Sequence, residues 1–373
     1  MEIKDKENII IISSHKYLDT NATKARISAY MDVLKFKKKI YLICPSSKKY
    51  SSNKDFNLIE IGQNRFSKNF YFRAFFEILY AMKVCLKLMS FKQEKIIVTI
   101  PSMFLLLILL IRKNVVVDLR DLVWEYLNEN NNTQKIIKKI IKKIMIFLLK
   151  KSKGIIVTNN AEKRYLKNEL GDYEAFLLII RNGINNDRFK LLSSLKLQNQ
   201  SKNINIIYVG NVGYAQNLTT LVDALKDSTS IKAKIIGEGN DLQNVKNYAL
   251  QSRVENIQFI DGLSWYELLF HYEKADILYA QILEQYNTAI PSKLYEYLSI
   301  GLPIIFAGKG ESSSFLSQFE NTMIINPNDS KELIFAINQH LGKKFISKSK
   351  YNMDKLKKQY IREVQVKKII NYI

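Results

Sequence analysis

Short runs of Val and Ile alternate with longer helical stretches along almost the whole chain, and few folds accommodate that alternation. Strand-like runs occur at Ile9–Ser13, Ile40–Cys44, Leu58–Ile61, Ile96–Thr99, Val115–Asp118 and Ile155–Thr158. A second series follows at Ile204–Val209, Lys234–Gly237, Ile257–Ile260, Ile277–Ala280, Ile304–Ala307 and Thr322–Ile325. Short apolar strands separated by helix-length segments signal a parallel sheet covered by helices. The hydrophilic stretch Asn186–Lys202 divides the two series. The expected architecture is α/β: a first Rossmann-like domain over 1–185, a hinge over 186–203 and a second Rossmann-like domain over 204–352. The tail, 353–373, reads as a basic amphipathic helix. Doubly wound sheets bind ligands at the carboxyl ends of their strands, so two of them facing each other make a cleft.

A chain of 373 residues exceeds one ordinary core, and 47% hydrophobic residues can fill two. Cys44 and Cys85 sit in apolar runs, as inert thiols do in a reducing cytoplasm. Met1 to Asn8 is charged and lacks a long apolar core, so no signal peptide is expected. A membrane-spanning helix needs ~20 apolar residues, more than the run Ser102–Ile111 offers, so that run reads as a buried helix. Three scattered histidines and two apolar cysteines do not form a metal site, so neither metal nor cofactor is expected. The formal net charge is +22 and uneven: residues 1–185 hold 34 Lys and Arg against 17 Asp and Glu, residues 186–373 hold 23 against 18. The first half either meets a polyanion, such as a membrane surface or a lipid-linked diphosphate, or reflects a lysine-rich composition. Nucleic acid is not expected as a partner, because no module for it is recognisable.

Thr133 to Lys153 carries eight lysines and no acid. On a helical wheel Ile136, Ile137, Ile140, Ile141, Ile144, Phe147 and Leu148 share one face, and Lys135, Lys138, Lys139, Lys142, Lys143 and Lys150 lie on the other. The following strand-like run implies that the apolar face packs on the first sheet. Lys138, Lys139, Lys142 and Lys143 would then touch anionic lipid headgroups, each worth ~1 kcal/mol. A simply solvated lysine face is the alternative.

The densest local signal is the segment 290–303, Ile-Pro-Ser-Lys-Leu-Tyr-Glu-Tyr-Leu-Ser-Ile-Gly-Leu-Pro. A Pro-Ser-Lys turn starts a helix, and Gly-Leu-Pro stops it before an apolar strand. A helix N-terminus gathers unpaired N–H groups and partial positive charge, and Lys293 adds a full one, so the pair suits a diphosphate. Glu296 would repel phosphate but can accept hydrogen bonds from two ribose hydroxyls. An ordinary capped helix fits the same pattern. After another strand, Gly210, Asn211, Gly213 and Gln216 form a glycine loop that lets backbone approach a phosphate, or a plain strand-to-helix turn. Gly237-Glu238-Gly239 repeats the logic, with Glu238 bonding a ligand or capping the next helix.

These pieces resemble, in order, the motifs of family 4 glycosyltransferases, which have the GT-B fold. Segment 290–303 resembles the family's Pro-Ser-Lys-x-x-Glu-Tyr signature. Segment 181–189, Arg-Asn-Gly-Ile-Asn-Asn-Asp-Arg-Phe, resembles its Asn-Gly-Val-Asp hinge, and 208–218 its second-domain glycine loop. Val-Val-Asp-Leu-Arg-Asp-Leu at 116–122 is similar to the fucosamine-transferase-like branch that builds capsule and O-antigen. The resemblance implies two domains facing across a cleft, with the tail returning to the first. It implies a retaining transferase using a nucleotide sugar, UDP-linked and N-acetylated amino, and a polyprenyl-diphosphate glycan acceptor at the inner face of the cytoplasmic membrane. Front-face displacement without an enzyme-bound intermediate is the implied route, and it is metal-independent. The donor would lie on Asn211, Gly213, Gln216, Gly237, Glu238, Gly239, Leu263, Ser292, Lys293 and Glu296. Arg120 and Asp121 would join Lys293 and Glu296 in catalysis, a salt-bridged structural pair being the alternative, and His15, Lys24 and Arg26 would line the acceptor site, where a lone histidine can equally be structural or exposed. Departures from the family pattern are Thr288, where many members carry an acid, and Asn211 and Asn217, where many carry Arg and Lys. A UDP-sugar 2-epimerase of the same fold is the nearest rival, though the acids and bases it needs around the sugar's C2 are not found. A non-catalytic partner subunit is the other, and Thr288 is its best argument.

Overall fold

The computed structural model describes residues 7–17, 22–47, 55–62, 70–92, 94–198, 203–340 and 348–373. Most of the N-terminal stretch read for a signal peptide, residues 1–6, lies outside them, as does 199–202 of the expected hinge. The chain divides into two compact units, Met1–Asn182 with Arg362–Ile373, and Gly183–Ile361.

The first unit holds a parallel sheet of seven strands: β1 Asn8–Ile12, β2 Lys39–Cys44, β3 Asn57–Glu60, β4 Lys95–Ile100, β5 Val115–Leu119, β6 Gly154–Val157 and β7 Phe176–Ile179. Their order is β3-β2-β1-β4-β5-β6-β7. The second unit holds six: β8 Ile204–Val209, β9 Ile231–Ile236, β10 Ile257–Ile260, β11 Ile277–Gln281, β12 Ile304–Ala307 and β13 Thr322–Ile325, in the order β10-β9-β8-β11-β12-β13. Every ladder is parallel. The strand order reverses between β1 and β4 in one unit and between β8 and β11 in the other, which places a crevice beyond each pair's carboxyl ends.

Both faces of each sheet are buried, so strands such as β1 (Ile9 to Ile12 fully buried) are continuously apolar. Several expectations need correction. β7 was not anticipated, and β9 begins at Ile231 rather than Lys234, because exposed Lys232 interrupts its apolar run. The run Ser102–Ile111 winds as a 3-10 helix over Met103–Leu110, in which Met103, Leu105, Leu106, Ile108 and Leu109 are buried as expected while Leu110, with Ile111, is exposed. The stretch expected as a hinge opens with the helix Asn186–Ser193, whose Phe189 and Leu192 join the core of the second unit. The tail is not one helix. Lys350–Gln359 packs in the second unit, and Arg362–Val366 with the 3-10 turn Lys367–Asn371 puts Val366 and Ile369 into the first unit's core.

Candidate functional site

In the second unit the crevice is organised by the helix Lys293–Ile300. Gly301, left-handed at φ 82°, ends it, and its N–H bonds to the Tyr297 carbonyl, which explains the Gly-Leu-Pro stop. β8 and β11 pair only at Ile206–Ile277 and Ile207–Leu278 and then part. The Tyr297 hydroxyl fills the gap, accepting from Val209 N–H at 2.9 Å and donating to Tyr279 carbonyl at 3.2 Å. Tyr297 therefore fixes the helix in the switch point, a role the sequence motif contains but does not reveal.

Lys293, at the first helical position, lies with its Nζ 3.6 Å from the Tyr208 ring centroid. A Cβ on Gly210 would stand 3.2 Å from that Nζ, so the glycine leaves room for the ammonium. Burial pulls the Lys293 pKa down to about 7, with Glu296 pulling it back up. The two motifs thus meet: the glycine loop after β8 and the helix after β11 share one cation. Gln216 accepts from Gly213 N–H and Asn211 Nδ2, both at 3.1 Å, which holds the loop in a tight turn.

Gly237 and Gly239 have a packing role that the sequence reading did not include. A Cβ on Gly237 would lie 2.0 Å from the Gly210 carbonyl oxygen, and one on Gly239 2.1 Å from that of Val212. They let the two loops stack backbone on backbone. Glu238 does not cap the helix Leu242–Gln251, whose N-cap has no side-chain bond; its carboxylate lies over Gly262. Leu263 is half-buried against the core, and Ser292 is exposed without a capping bond. Asn217 is a turn residue at φ 35°, bonded to Asn328 and Thr219.

Glu296 has a partner that sequence reasoning missed. Arg188 Nη1 donates to its Oε1 at 3.1 Å, and the guanidinium stacks 5.1 Å from the Trp265 ring centroid. The ion pair orients the carboxylate, as an acceptor for hydroxyl groups must be oriented. Arg188 stands inside the hinge motif, directly before Phe189, and that adjacency was the available signal.

In the first unit, Ser14 and His15 follow β1, and Pro101 to Phe104 follow β4. Together with Arg73, Glu77 and Val123 they wall a cavity of about 190 Å³ at the switch point. The Ser14 hydroxyl bonds His15 Nδ1 at 3.2 Å. Lys24 lines a separate crevice with His15, about 10 Å³, with room for about one water. Arg26 is a correction: it is 1% exposed and locked to Asp118 by two 2.7 Å bonds and to the Ile180 carbonyl at 3.0 Å. A buried charge must be paired, and this one is spent on the fold rather than on a ligand. Arg120 bonds Thr23 at 2.6 Å and keeps a buried Nε without a partner. Burial raises the Asp121 carboxyl above its ordinary value while Arg120 opposes the shift. Glu162, also missed, accepts from Thr158 N–H and hydroxyl, and burial pushes its pKa up to about 8.

The lysine helix, Asn132–Leu149, also departs from expectation. Lys138 pairs with Glu129, and Lys142 with Glu169 at 2.7 Å and Glu125 at 3.2 Å, so both turn inward. Lys139 and Lys143 remain exposed. Met145, Ile146, Leu148 and Leu149 do the packing, and Ile136, Ile140, Ile144 and Phe147 are left at the surface. The wheel could not foresee this, because the glutamates come from neighbouring elements. Among the described residues, no helix is long and apolar enough to cross a membrane.

Residues 189–360 match the family Glycosyl transferases group 1. The second unit is a glycosyltransferase domain. No sequence among the curated proteins matches the chain. Solved structures match over nearly its whole length. Sucrose-phosphate synthase from Thermosynechococcus elongatus is similar at TM-score 0.79 and 13% identity over 98% of each chain. A glycosyltransferase from Rickettsia africae ESF-5 is similar at 0.68 and 16%, over 99% of this chain and 98% of that one. An alpha,alpha-trehalose-phosphate synthase (UDP-forming) from Burkholderia xenovorans, in complex with glucose-6-phosphate, is similar at 0.70 and 13%, over 98% and 99%. At these identities the likeness is one of fold, and that fold is GT-B, two Rossmann-like domains. The glycosyltransferase domain carries the Lys293–Glu296 helix and both glycine loops.

Proposed function

We propose that this glycosyltransferase moves a sugar, an N-acetylated amino sugar, from UDP to a polyprenyl-diphosphate-linked glycan. The product feeds capsule, O-antigen or exopolysaccharide, as in the fucosamine-transferase-like branch, and the enzyme works at the inner face of the cytoplasmic membrane. The carrying observation is the helix pinned by Tyr297, with Lys293 against Gly210 and Glu296 one turn on. It supports a diphosphate at the helix start and a ribose on the Arg188-held carboxylate. The UDP-forming relative from Burkholderia xenovorans supports the choice of nucleotide.

In the proposed retaining step the bond from the sugar's anomeric carbon to the diphosphate breaks, and the bond to the acceptor oxygen forms on the same face. The acceptor's proton passes to the departing diphosphate. Lys293 stabilises the charge that develops there. Arg120 and Asp121, at the end of β5, are the groups proposed to orient the acceptor, together with His15 at the cavity. No divalent metal takes part in this reading.

Thermal unfolding against UDP, GDP, CDP and TDP tests the donor site. A nucleotide at about 100 times its dissociation constant adds ~2.7 kcal/mol of stability. UDP should stabilise the wild type, with EDTA present, and fail to stabilise Glu296→Ala. Equal stabilisation of the variant removes Glu296 from the site, and stabilisation by none removes the donor reading.

A further inference from the structure

The glycine loop after β8 brings no charge of its own. Residues 210–217 read Gly-Asn-Val-Gly-Tyr-Ala-Gln-Asn, and the cation beside Gly210 is Lys293 of the helix after β11. A loop that cradles phosphate turns free backbone N–H groups toward it. Here those groups are largely spent. Gly210 N–H bonds the Ile236 carbonyl at 2.9 Å, Val212 N–H that of Glu238 at 2.8 Å, and Gln216 N–H that of Gly213 at 2.9 Å. Gly213 N–H is held by the Gln216 side chain. In the proposed donor site Lys293 meets the diphosphate from the helix side, which leaves the loop past Gly210 to an uncharged part of the donor.

Tyr214 stands in the turn that Gly213 and Gln216 close. The turn is anchored from both sides: the Val212 carbonyl accepts from Asp241 N–H at 3.0 Å, and the Ala215 carbonyl from Leu283 N–H at 2.8 Å. Between those anchors, at the carboxyl end of a switch-point strand, Tyr214 is 64% exposed. A single exposed aromatic is ordinary elsewhere on a surface. On a turn fixed by its neighbours it is a rigid ring that loses little conformational freedom when something binds it. Carboxamides border the same turn. A Cβ on Gly213 would lie 2.7 Å from Asn211 Nδ2 and 3.1 Å from Asn240 Oδ1, and both asparagines are exposed. An aromatic face beside neutral amides suits a pyranose, whose C–H groups pack on a ring while its hydroxyl or acetamido groups exchange hydrogen bonds with amides.

We infer that Tyr214 is a specificity-determining residue on which the donor's transferred sugar rests, with Asn240 bonding the sugar's polar groups. The inference rests on the donor site of the proposed function and adds the end of the donor that Glu296 and Lys293 leave unread. With the ribose on Glu296 and the diphosphate on Lys293 against Gly210, the sugar is the part that continues along the residues after Gly210. The loop then separates a nucleotide sugar from a bare nucleotide, and one sugar from another, without touching the nucleoside.

Calorimetric titration of the full chain with UDP, UDP-glucose and UDP-N-acetylglucosamine tests this, because the three share a nucleotide and only two carry a sugar. Tyr214→Ala should lower affinity for both conjugates about three- to tenfold, as loss of one aromatic contact does. Its affinity for UDP alone should equal that of wild type, which also shows that the turn is intact. Tyr214→Phe keeps the ring and should bind all three as wild type does. Asn240→Ala should weaken the conjugates and spare UDP. Equal affinity of wild type and Tyr214→Ala for both conjugates overturns the inference and leaves the donor site standing. A Tyr214→Ala loss as large for UDP as for the conjugates overturns it too, since the ring then serves the nucleotide or the loop's fold. A wild type that binds neither UDP nor a conjugate defeats the donor reading itself, and this inference falls with it.

Discussion

In the proposed donor site Lys293 holds a diphosphate with an ammonium that burial has made easier to lose. Its free-site pKa is about 7, set by desolvation against the Tyr208 ring and partly offset by Glu296. A bound dianion raises that value, so binding above about pH 7 must take up a proton. Affinity for UDP should therefore be flat below that pH and fall by up to about tenfold per pH unit above it. Fold stability runs the other way: above pH 7 and below the ordinary lysine value of 10.5, the unfolded chain holds a proton that the native one lacks, so this group's contribution rises with pH. Calorimetry from about pH 6 to 9, in buffers of different ionisation heat, reads both the slope and the proton. Lys293→Arg, which stays charged, should flatten the profile, and a flat wild-type profile would sink the argument. Side-chain types such as this one were legible in the sequence, and their partners were not. Arg26 meets Asp118 across 92 residues and Arg188 meets Glu296 across 108, and no periodicity encodes such pairings.

At the scale of elements, the two glycine loops follow their strands as expected and differ in what their glycines make room for. Gly210 opens space for a side chain, whereas Gly237, at φ 148°, opens space for another loop's backbone. Gly237→Ala would have to push the Gly210 turn, and Lys293's seat with it. We expect Gly237→Ala and Gly239→Ala to cost roughly 1–3 kcal/mol in stability and to lose UDP-dependent stabilisation. The nearest atoms to a Cβ at Gly213 are the side-chain ends of Asn211, Asn240 and Gln216, which can move, so Gly213→Ala should retain binding with a smaller stability loss. Denaturant unfolding with and without UDP separates the three; a Gly237→Ala protein that binds normally would uncouple the loops from the donor. Strands were the most legible elements, because burial on both faces demands unbroken apolar runs. β9 shows the limit: Ile231, Ala233, Ile235 and Ile236 are buried, but two lysines dilute the run. The Asn132–Leu149 helix shows another, since amphipathicity fixed its existence while glutamates on other elements fixed its rotation.

The whole molecule depends on the last residues crossing from one unit to the other. Periodicity made 353–373 look like one helix, because both halves carry apolar residues at helical spacing. The break comes at Tyr360 and Ile361, which are buried in the second unit's core, just before Val366 and Ile369 enter the first unit's core beside Ile9, Ile27 and Tyr30. Sequence alone marks no switch of core, since Ile is equally at home in either. The consequence is a terminal segment that stabilises a domain it does not follow in the chain. Ile369→Ala should cost roughly 2–5 kcal/mol, as truncation of a fully buried isoleucine does. That loss belongs to the first unit. Two-domain chains can unfold in separate steps, so urea unfolding monitored with and without UDP distinguishes them. The transition that UDP shifts should keep its midpoint in Ile369→Ala, while the other moves to lower urea. If one transition carries both the UDP shift and the mutational loss, the two units unfold as a single cooperative body, and the terminal segment then secures the donor site as much as the sheet it packs on.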